Sequence, residues 1–95
     1  MAERVSVNVN TVKIVKLDNN PTTGYEWIVK SSNDDVVTVT HKGYTPQGSM
    51  VGSGGYDTFS IKGRKPGNAS VSFEYKRSWE NDAVERKVYS VSVSP

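Results

Sequence analysis

Few residues of this 95-residue chain could perform catalysis. The chain has no cysteine, which excludes a thiol nucleophile, a thiolate metal site and a disulfide. His41 is the single histidine, so the usual zinc ligand sets cannot be assembled from side chains. The one conceivable catalytic triad joins His41 and a serine to Asp34, Asp35 or Asp57, and no nucleophile motif accompanies it. We therefore predict that the protein is not an enzyme and carries no metal or other cofactor.

Charge and hydropathy restrict the partners of the protein. Twelve basic and ten acidic residues are interspersed and give a net charge of +2. The densest basic stretch, Lys62, Arg64 and Lys65, sits beside a Pro-Gly turn and favours a solvated turn, because nucleic-acid binding needs a broader excess of positive charge. The longest apolar run, residues 27–29, is too short for a membrane span or a signal peptide. We expect neither a nucleic-acid nor a membrane partner, and a chain that is cytoplasmic or already processed.

Binding chemistry is concentrated in three segments, of which residues 18–24 form the first. Pro21 fixes its own φ and pushes Asn20 towards an extended conformation, while Gly24 permits a positive φ. Thr22 and Thr23 are thereby held at the tip of a stiff loop. An ordinary Asn-Pro turn is the alternative interpretation.

The second segment, residues 45–55, is rich in glycine. Gly52, Gly54 and Gly55, together with Ser53, leave few side chains in the way, so the backbone can approach another surface closely. A phosphate-binding loop would need a helix after the glycines, and the sequence predicts none. We therefore interpret this segment as a contact loop.

The third segment, residues 77–83, places Trp79 among polar residues. Tryptophan and arginine are the residue types most enriched at interface hot spots, and Arg77 and Ser78 precede Trp79 directly. The segment is thus predicted to carry an aromatic binding anchor. The alternative is that Trp79 folds back over the end of the domain.

The elements that position these segments are predicted to be almost entirely β-strands. The chain has fifteen valines and one leucine, and side chains branched at Cβ favour strands over helices. Apolar residues alternate with polar ones in seven stretches, and this period of two is typical of strands. The predicted strands are residues 3–9, 11–17, 25–30, 36–42, 56–62, 69–76 and 84–93.

Seven short strands in about 100 residues predict a single all-β domain over residues 1–95, an immunoglobulin-like β-sandwich of about seven antiparallel strands. Trp27, on the third strand, is expected to pack between the sheets. The alternation is interrupted between Ile14 and Val15 and between Val88 and Tyr89. Each interruption predicts a bulge or a strand that passes from one sheet to the other.

The three candidate binding segments are expected to lie at one end of the sandwich. If consecutive strands run antiparallel, the connections after the second, fourth and sixth strands lie together. The connections at the other end, residues 31–35 and 63–68 and a turn at Asn10, have ordinary turn composition. Three clustered loops on a rigid sandwich are typical of a binding module.

The three segments resemble the ordered motifs of the chagasin family, protein inhibitors of papain-like cysteine proteases. The motifs are residues 20–25 (Asn-Pro-Thr-Thr-Gly-Tyr), residues 50–55 (Met-Val-Gly-Ser-Gly-Gly) and residues 77–79 (Arg-Ser-Trp), and the resemblance extends over essentially the whole chain. It implies a reversible, competitive, tight-binding inhibitor that is a monomer when free, with cathepsin-type papain-like proteases as partners. Its three loops would occlude the active-site cleft without being cleaved.

The resemblance also implies a role for each loop. Residues 22–24 would lie across the catalytic cysteine, residues 52–55 along the non-primed side, and Trp79, with Arg77 beside it, on the primed side. The family pattern usually has proline where this chain has Ser78. Serine leaves the third loop more freedom before binding, so binding loses more entropy. The alternative function is an immunoglobulin-like adhesion or carbohydrate-binding module that uses the same loops.

Overall fold

The part of the chain that the structure describes forms seven β-strands, as the alternation predicted. The computed structural model describes residues 2–48 and 54–95, and within these ranges no helix is long and apolar enough to cross a membrane. A 3-10 turn, Pro21–Thr23, lies between the second and third strands. The strands are β1 (Glu3–Asn8), β2 (Val12–Asn19), β3 (Tyr25–Ser31), β4 (Val37–Pro46), β5 (Gly55–Gly63), β6 (Gly67–Arg77) and β7 (Glu85–Ser94).

The strands form two sheets, with the order β1-β7-β6-β3 in one and β2-β5-β4 in the other. Neighbouring strands are antiparallel except β1 and β7, which run parallel, so the prediction of antiparallel strands was wrong for this pair. The two strands lie at opposite ends of the sequence, and no hairpin fixes their relative direction. The chain passes between the sheets at Val9, which bridges Gly63 of β5.

The core consists of the residues that alternation turns inward from both sheets. Phe73 is fully buried and contacts Phe59 and Tyr89, with ring centroids 5.0 and 5.7 Å away. Trp27 is 8% exposed and packs on Tyr75 at 4.7 Å, which confirms that it is buried in the core. Its indole Nε1 donates to the Asp18 carbonyl at 3.0 Å, so the buried donor is satisfied and β3 is tied to the end of β2.

The two interruptions of the alternation are neither bulges nor sheet crossings. Register between β2 and β5 continues unbroken from Val12 to Asn19, and register between β6 and β7 continues through Val88. Val12 and Ile14 instead lie on the outer face, 52% and 46% exposed. The alternation therefore looked interrupted because an apolar residue stands at a position that faces solvent.

The bulge that does occur lies in β4, at Lys42, between His41 and Gly43. The predicted strand 36–42 therefore continues to Pro46. The extra residue reverses the alternation, so His41 and Tyr44 lie on the same side of the strand: His41 contacts Asp57, and the Tyr44 hydroxyl lies 3.5 Å from the Asn19 backbone carbonyl. Sequence reasoning ended the strand early because glycine and proline in this stretch are typical of turns.

Candidate functional site

Three connections meet at one end of the sandwich, as the strand order predicted. Register places Asn19 opposite Gly55 and Tyr25 opposite Arg77, and these four residues are the strand ends that flank the connections. We call the surface that the connections form the rim, and its parts are the first loop (20–24), the second loop (47–54) and the third loop (78–84). The first loop also joins the two sheets, because it leads from β2 to β3.

The tip of the first loop is fixed by its own hydrogen bonds. The Asn20 Oδ1 accepts from the Thr22 amide at 3.2 Å and from the Thr22 hydroxyl at 2.6 Å, and the Asn20 carbonyl accepts from the Thr23 hydroxyl at 2.7 Å. Such Asx and 3-10 geometry is the local structure that asparagine favours next to a turn. Both threonine hydroxyl hydrogens are used internally. Thr22 and Thr23 are exposed, and their hydroxyl oxygens face solvent in a fixed orientation.

Gly24 closes the first loop and supports the anchor of the third. Its φ is +81°, in the left-handed region that favours glycine. A Cβ at this position would lie 3.1 Å from Cη2 of Trp79, because the indole lies over the glycine. Trp79 is nevertheless 71% exposed. The ring therefore folds back over the first loop and still offers most of its surface to solvent, so the structure combines the two interpretations of Trp79.

Arg77 links the third loop to the first. Its guanidinium lies over the Tyr25 ring at 4.5 Å and near the Trp79 ring at 5.8 Å. Its Nε donates to the Thr23 carbonyl at 3.2 Å and lies 3.6 Å from a carboxylate oxygen of Glu80. Cation–π and charge-assisted contacts of this kind hold a side chain in one rotamer. Arg77 therefore stabilises the arrangement of the rim from within.

The base of the second loop lies against the first. The Gln47 amide donates to the Gly54 carbonyl at 3.0 Å and closes the loop, while a Cβ on Gly54 would lie 3.6 Å from the Asn19 carbonyl. Gly55 has no space for a side chain, because a Cβ there would clash with the Thr45 carbonyl and lie 2.6 Å from the Tyr44 hydroxyl. The glycines thus permit close approach between strands and loops within the protein.

A comparison with known protein families identifies the family of the chain. The family model described as "Chagasin family peptidase inhibitor I42" matches residues 6–93 of the chain. The chain belongs to the chagasin family. It is therefore an inhibitor of cysteine proteases, as the three motifs predicted, and not an enzyme. The adhesion or carbohydrate-binding function is not favoured.

Individual relatives agree with the family assignment. The chain is 27% identical over 92 residues to chagasin from Trypanosoma cruzi, covering 92% of this chain and 84% of that protein. It is 31% identical over 86 residues to amoebiasin-1 from Entamoeba histolytica, covering 83% of this chain and 84% of that protein. The solved structure of PbICP-C in complex with falcipain-2 matches the fold with a TM-score of 0.73 at 21% identity, covering 99% of this chain and 90% of that one.

The structure places the predicted site residues of this chagasin-family chain at the rim wherever it describes them. Asn20, Pro21, Thr22, Thr23 and Gly24 form the first loop, and Gly54 and Gly55 flank the base of the second. Arg77, Ser78 and Trp79 end β6 and begin the third loop. Gly52 and Ser53 lie outside the described residues. That these residues contact a protease stays a prediction.

Sequence reasoning missed the polar residues beneath the rim. Asp57 is 7% exposed and accepts from the Asn19 amide at 2.8 Å, and His41 Nε2 lies 2.9 Å from its other oxygen. The sequence suggests His41 and Asp57 only as members of a triad, but the Asp57 carboxylate accepts from the Asn19 side-chain amide, and the His41 imidazole packs on Phe59 at 5.0 Å. The signal available in the sequence was the inward phase of Asp57 within the β5 alternation.

Proposed function

We propose that this chagasin-family inhibitor blocks papain-like cysteine proteases reversibly and competitively by inserting its rim into the active-site cleft. The observation that carries the proposal is that the Arg77 and Gly24 contacts join the first and third loops into one surface, against which Gly54 places the base of the second loop. The first loop would lie over the catalytic cysteine. The second loop would contribute backbone groups on the non-primed side, and Trp79 would pack on the primed side.

The conformation of the first loop supports inhibition without cleavage. Thr22 and Thr23 lie in a 3-10 turn, and the amide of Thr22 and both hydroxyls are bonded to Asn20. Proteases cut chain segments that they bind in an extended conformation. Extending this loop would break its internal hydrogen bonds, each worth about 1 kcal/mol. The Thr22–Thr23 bond is therefore expected to stay intact in the cleft.

Affinity is expected to arise from rigidity and from the aromatic anchor. A loop that is already ordered loses little conformational entropy on binding, so more of the contact energy is expressed as affinity. The aromatic anchor is Trp79, a large apolar side chain that is 71% exposed before binding. The finding of PbICP-C, a protein of similar fold, in complex with falcipain-2 supports a protease as the partner.

The test is steady-state inhibition of papain and a cathepsin at several substrate concentrations. We expect apparent KM to rise with inhibitor while kcat stays constant, and the recovered inhibitor to have its original mass. Chymotrypsin should be unaffected. A covalent adduct, a cut between Thr22 and Thr23, or inhibition independent of substrate concentration would contradict the proposal.

A pair of matched variants locates the binding surface. Thr22→Glu introduces a charge at the tip of the first loop, where binding would desolvate it, and should weaken inhibition at least roughly tenfold. Thr40→Glu introduces the same charge at an exposed position in the middle of β4, away from the rim, and should inhibit like the wild type. Equal inhibition by the two variants would place the binding surface elsewhere.

A further inference from the structure

Four polar side chains form a connected cluster directly beneath the rim, and we call it the rim network: Asn19, His41, Asp57 and Tyr75. The Tyr75 hydroxyl donates to Asn19 Oδ1 at 2.7 Å, and Asn19 Nδ2 donates to Asp57 Oδ2 at 2.8 Å. His41 Nε2 completes the chain at 2.9 Å from Asp57 Oδ1. The Tyr75 hydroxyl also accepts from the Asn20 backbone amide at 3.3 Å.

Donors and acceptors alternate through the rim network, so the orientation of the Asn19 amide is determined. An ionised carboxylate only accepts hydrogen bonds, and the Asn19 NH₂ group must therefore face Asp57. The side-chain oxygen of Asn19, Oδ1, then faces the Tyr75 hydroxyl, which donates to it. Reversing the amide would place two acceptors against each other at Asp57. The network consequently fits one arrangement of its members.

The rim network connects the two sheets at the end where the loops lie. Asn19, His41 and Asp57 belong to the three-stranded sheet, and Tyr75 belongs to β6 of the four-stranded sheet. The backbone bridge between the sheets, Val9 with Gly63, lies at the opposite end. Asn19 ends the strand before the first loop, and Tyr75 lies just before Arg77 at the start of the third. The hydrogen bond between Asn19 and Tyr75 therefore holds the stems of the first and third loops at a fixed distance from each other.

Asp57 extends the same connection to the second loop. It lies near the start of β5, which follows that loop, and it contacts His41 on β4, which precedes it. Asp57 is 7% exposed, so water competes little for its hydrogen bonds, while the His41 side chain at the end of the network is 52% exposed. A satisfied polar network in such surroundings favours one side-chain arrangement over its alternatives.

We propose that the rim network is a positioning device that holds the stems of the three loops in their binding arrangement before a target is present. Its members are positioning residues, since they lie behind the loops and would not contact the protease. Their effect on inhibition rests on the proposed function, whereas their effect on the free protein does not. Losing the network would lower the fraction of molecules with a binding-competent rim, and apparent affinity falls in proportion to that fraction.

Tyr75→Phe is the sharpest test, because it removes the hydroxyl and keeps the ring that stacks on Trp27 and Tyr25 at 4.7 and 5.1 Å. Hydrogen exchange of the Asn20 amide should become about three- to tenfold faster, the range expected for losing one net hydrogen bond. The inhibition constant should rise by up to the same factor, through slower association, to the extent that the open rim becomes populated. Tyr89→Phe is the matched control: Tyr89 is also a buried tyrosine, on β7 opposite Glu3, and the variant should change neither quantity.

Asn19→Asp breaks the other arm of the network at nearly constant shape. It places a carboxylate oxygen against Asp57, where a donor stood at 2.8 Å, and like charges at this distance repel. We expect faster exchange at Asn20 and weaker inhibition for this variant as well. Unchanged exchange at Asn20 in both variants would refute the inference, and so would faster exchange without any loss of affinity. Failure of the wild type to inhibit would refute the proposed function instead. The exchange measurements would then still test whether the rim network orders the loop stems in the free protein.

Discussion

Replacing Trp79 by alanine should weaken inhibition far more than it weakens folding. Trp79 is 71% exposed and rests on Gly24 and near Arg77, so little of its surface is removed from water when the domain folds. We expect the variant to lose no more than about 1 kcal/mol of unfolding free energy, close to the range of surface substitutions. For a domain of this size that corresponds to a fall in Tm of at most about 4–8 °C.

The loss on binding follows from the surface that Trp79 leaves free. A tryptophan side chain can bury up to about 250 Å², and its 71% exposure leaves roughly 180 Å² to be covered by a partner. At about 25 cal/mol per Å² this area is worth at most about 4.5 kcal/mol. Ordering of the third loop and imperfect pairing of polar groups offset part of that gain. We therefore expect a loss of about 2 kcal/mol or more, which is roughly a thirtyfold rise in the inhibition constant.

The assay measures Tm and the papain inhibition constant on the same preparations of wild type and variant. Val12→Ala is the matched control, because it truncates another exposed apolar residue, 52% exposed on β2, outside the rim. Trp79→Phe should retain part of the affinity, since an aromatic ring still lies over Gly24. The reasoning is refuted if Trp79→Ala unfolds the domain, or if it inhibits as well as Val12→Ala does.

Three further substitutions test the rim and its support. Trp27→Ala should lower the unfolding free energy by about 3–5 kcal/mol in denaturant titration, because a residue 8% exposed leaves a cavity in the core; a loss below 1 kcal/mol would contradict the core assignment. Gly24→Ala should cost about 1–2 kcal/mol of stability and weaken inhibition, because its φ is +81° and the new Cβ lies 3.1 Å from Trp79. An unchanged inhibition constant would contradict the view that Gly24 supports the Trp79 ring. Ser78→Pro should raise Tm and tighten inhibition by up to about 1 kcal/mol. The reason is that Glu80 N donates to Arg77 O at 3.1 Å, which makes Ser78 the second residue of a turn, a position that favours proline. Weaker inhibition with an unchanged Tm would show that proline distorts the loop.

The period-two alternation predicted the strands and their inward faces because it reports a local property of the chain. In a strand, successive side chains point to opposite sides, so Val71 and Phe73 are buried whatever strand lies next to them. The positions of the three loops followed from strand order alone. Proline and glycine also act locally, and the stiff first loop around Pro21 and the positive φ of Gly24 were expected for that reason.

The contacts between residues far apart in sequence were decided only by the tertiary structure. Asn19 and Asp57 are separated by 38 positions, and Asn19 and Tyr75 by 56, so no local pattern pairs them. The bulge at Lys42 aims His41 at Asp57, and a single inserted residue leaves no signature that distinguishes it from a turn. The sequence by itself therefore determined which segments form strands and loops. The packing of the two sheets determined how those loops are held together, because hydrogen bonding across a sandwich depends on register and not on sequence neighbours.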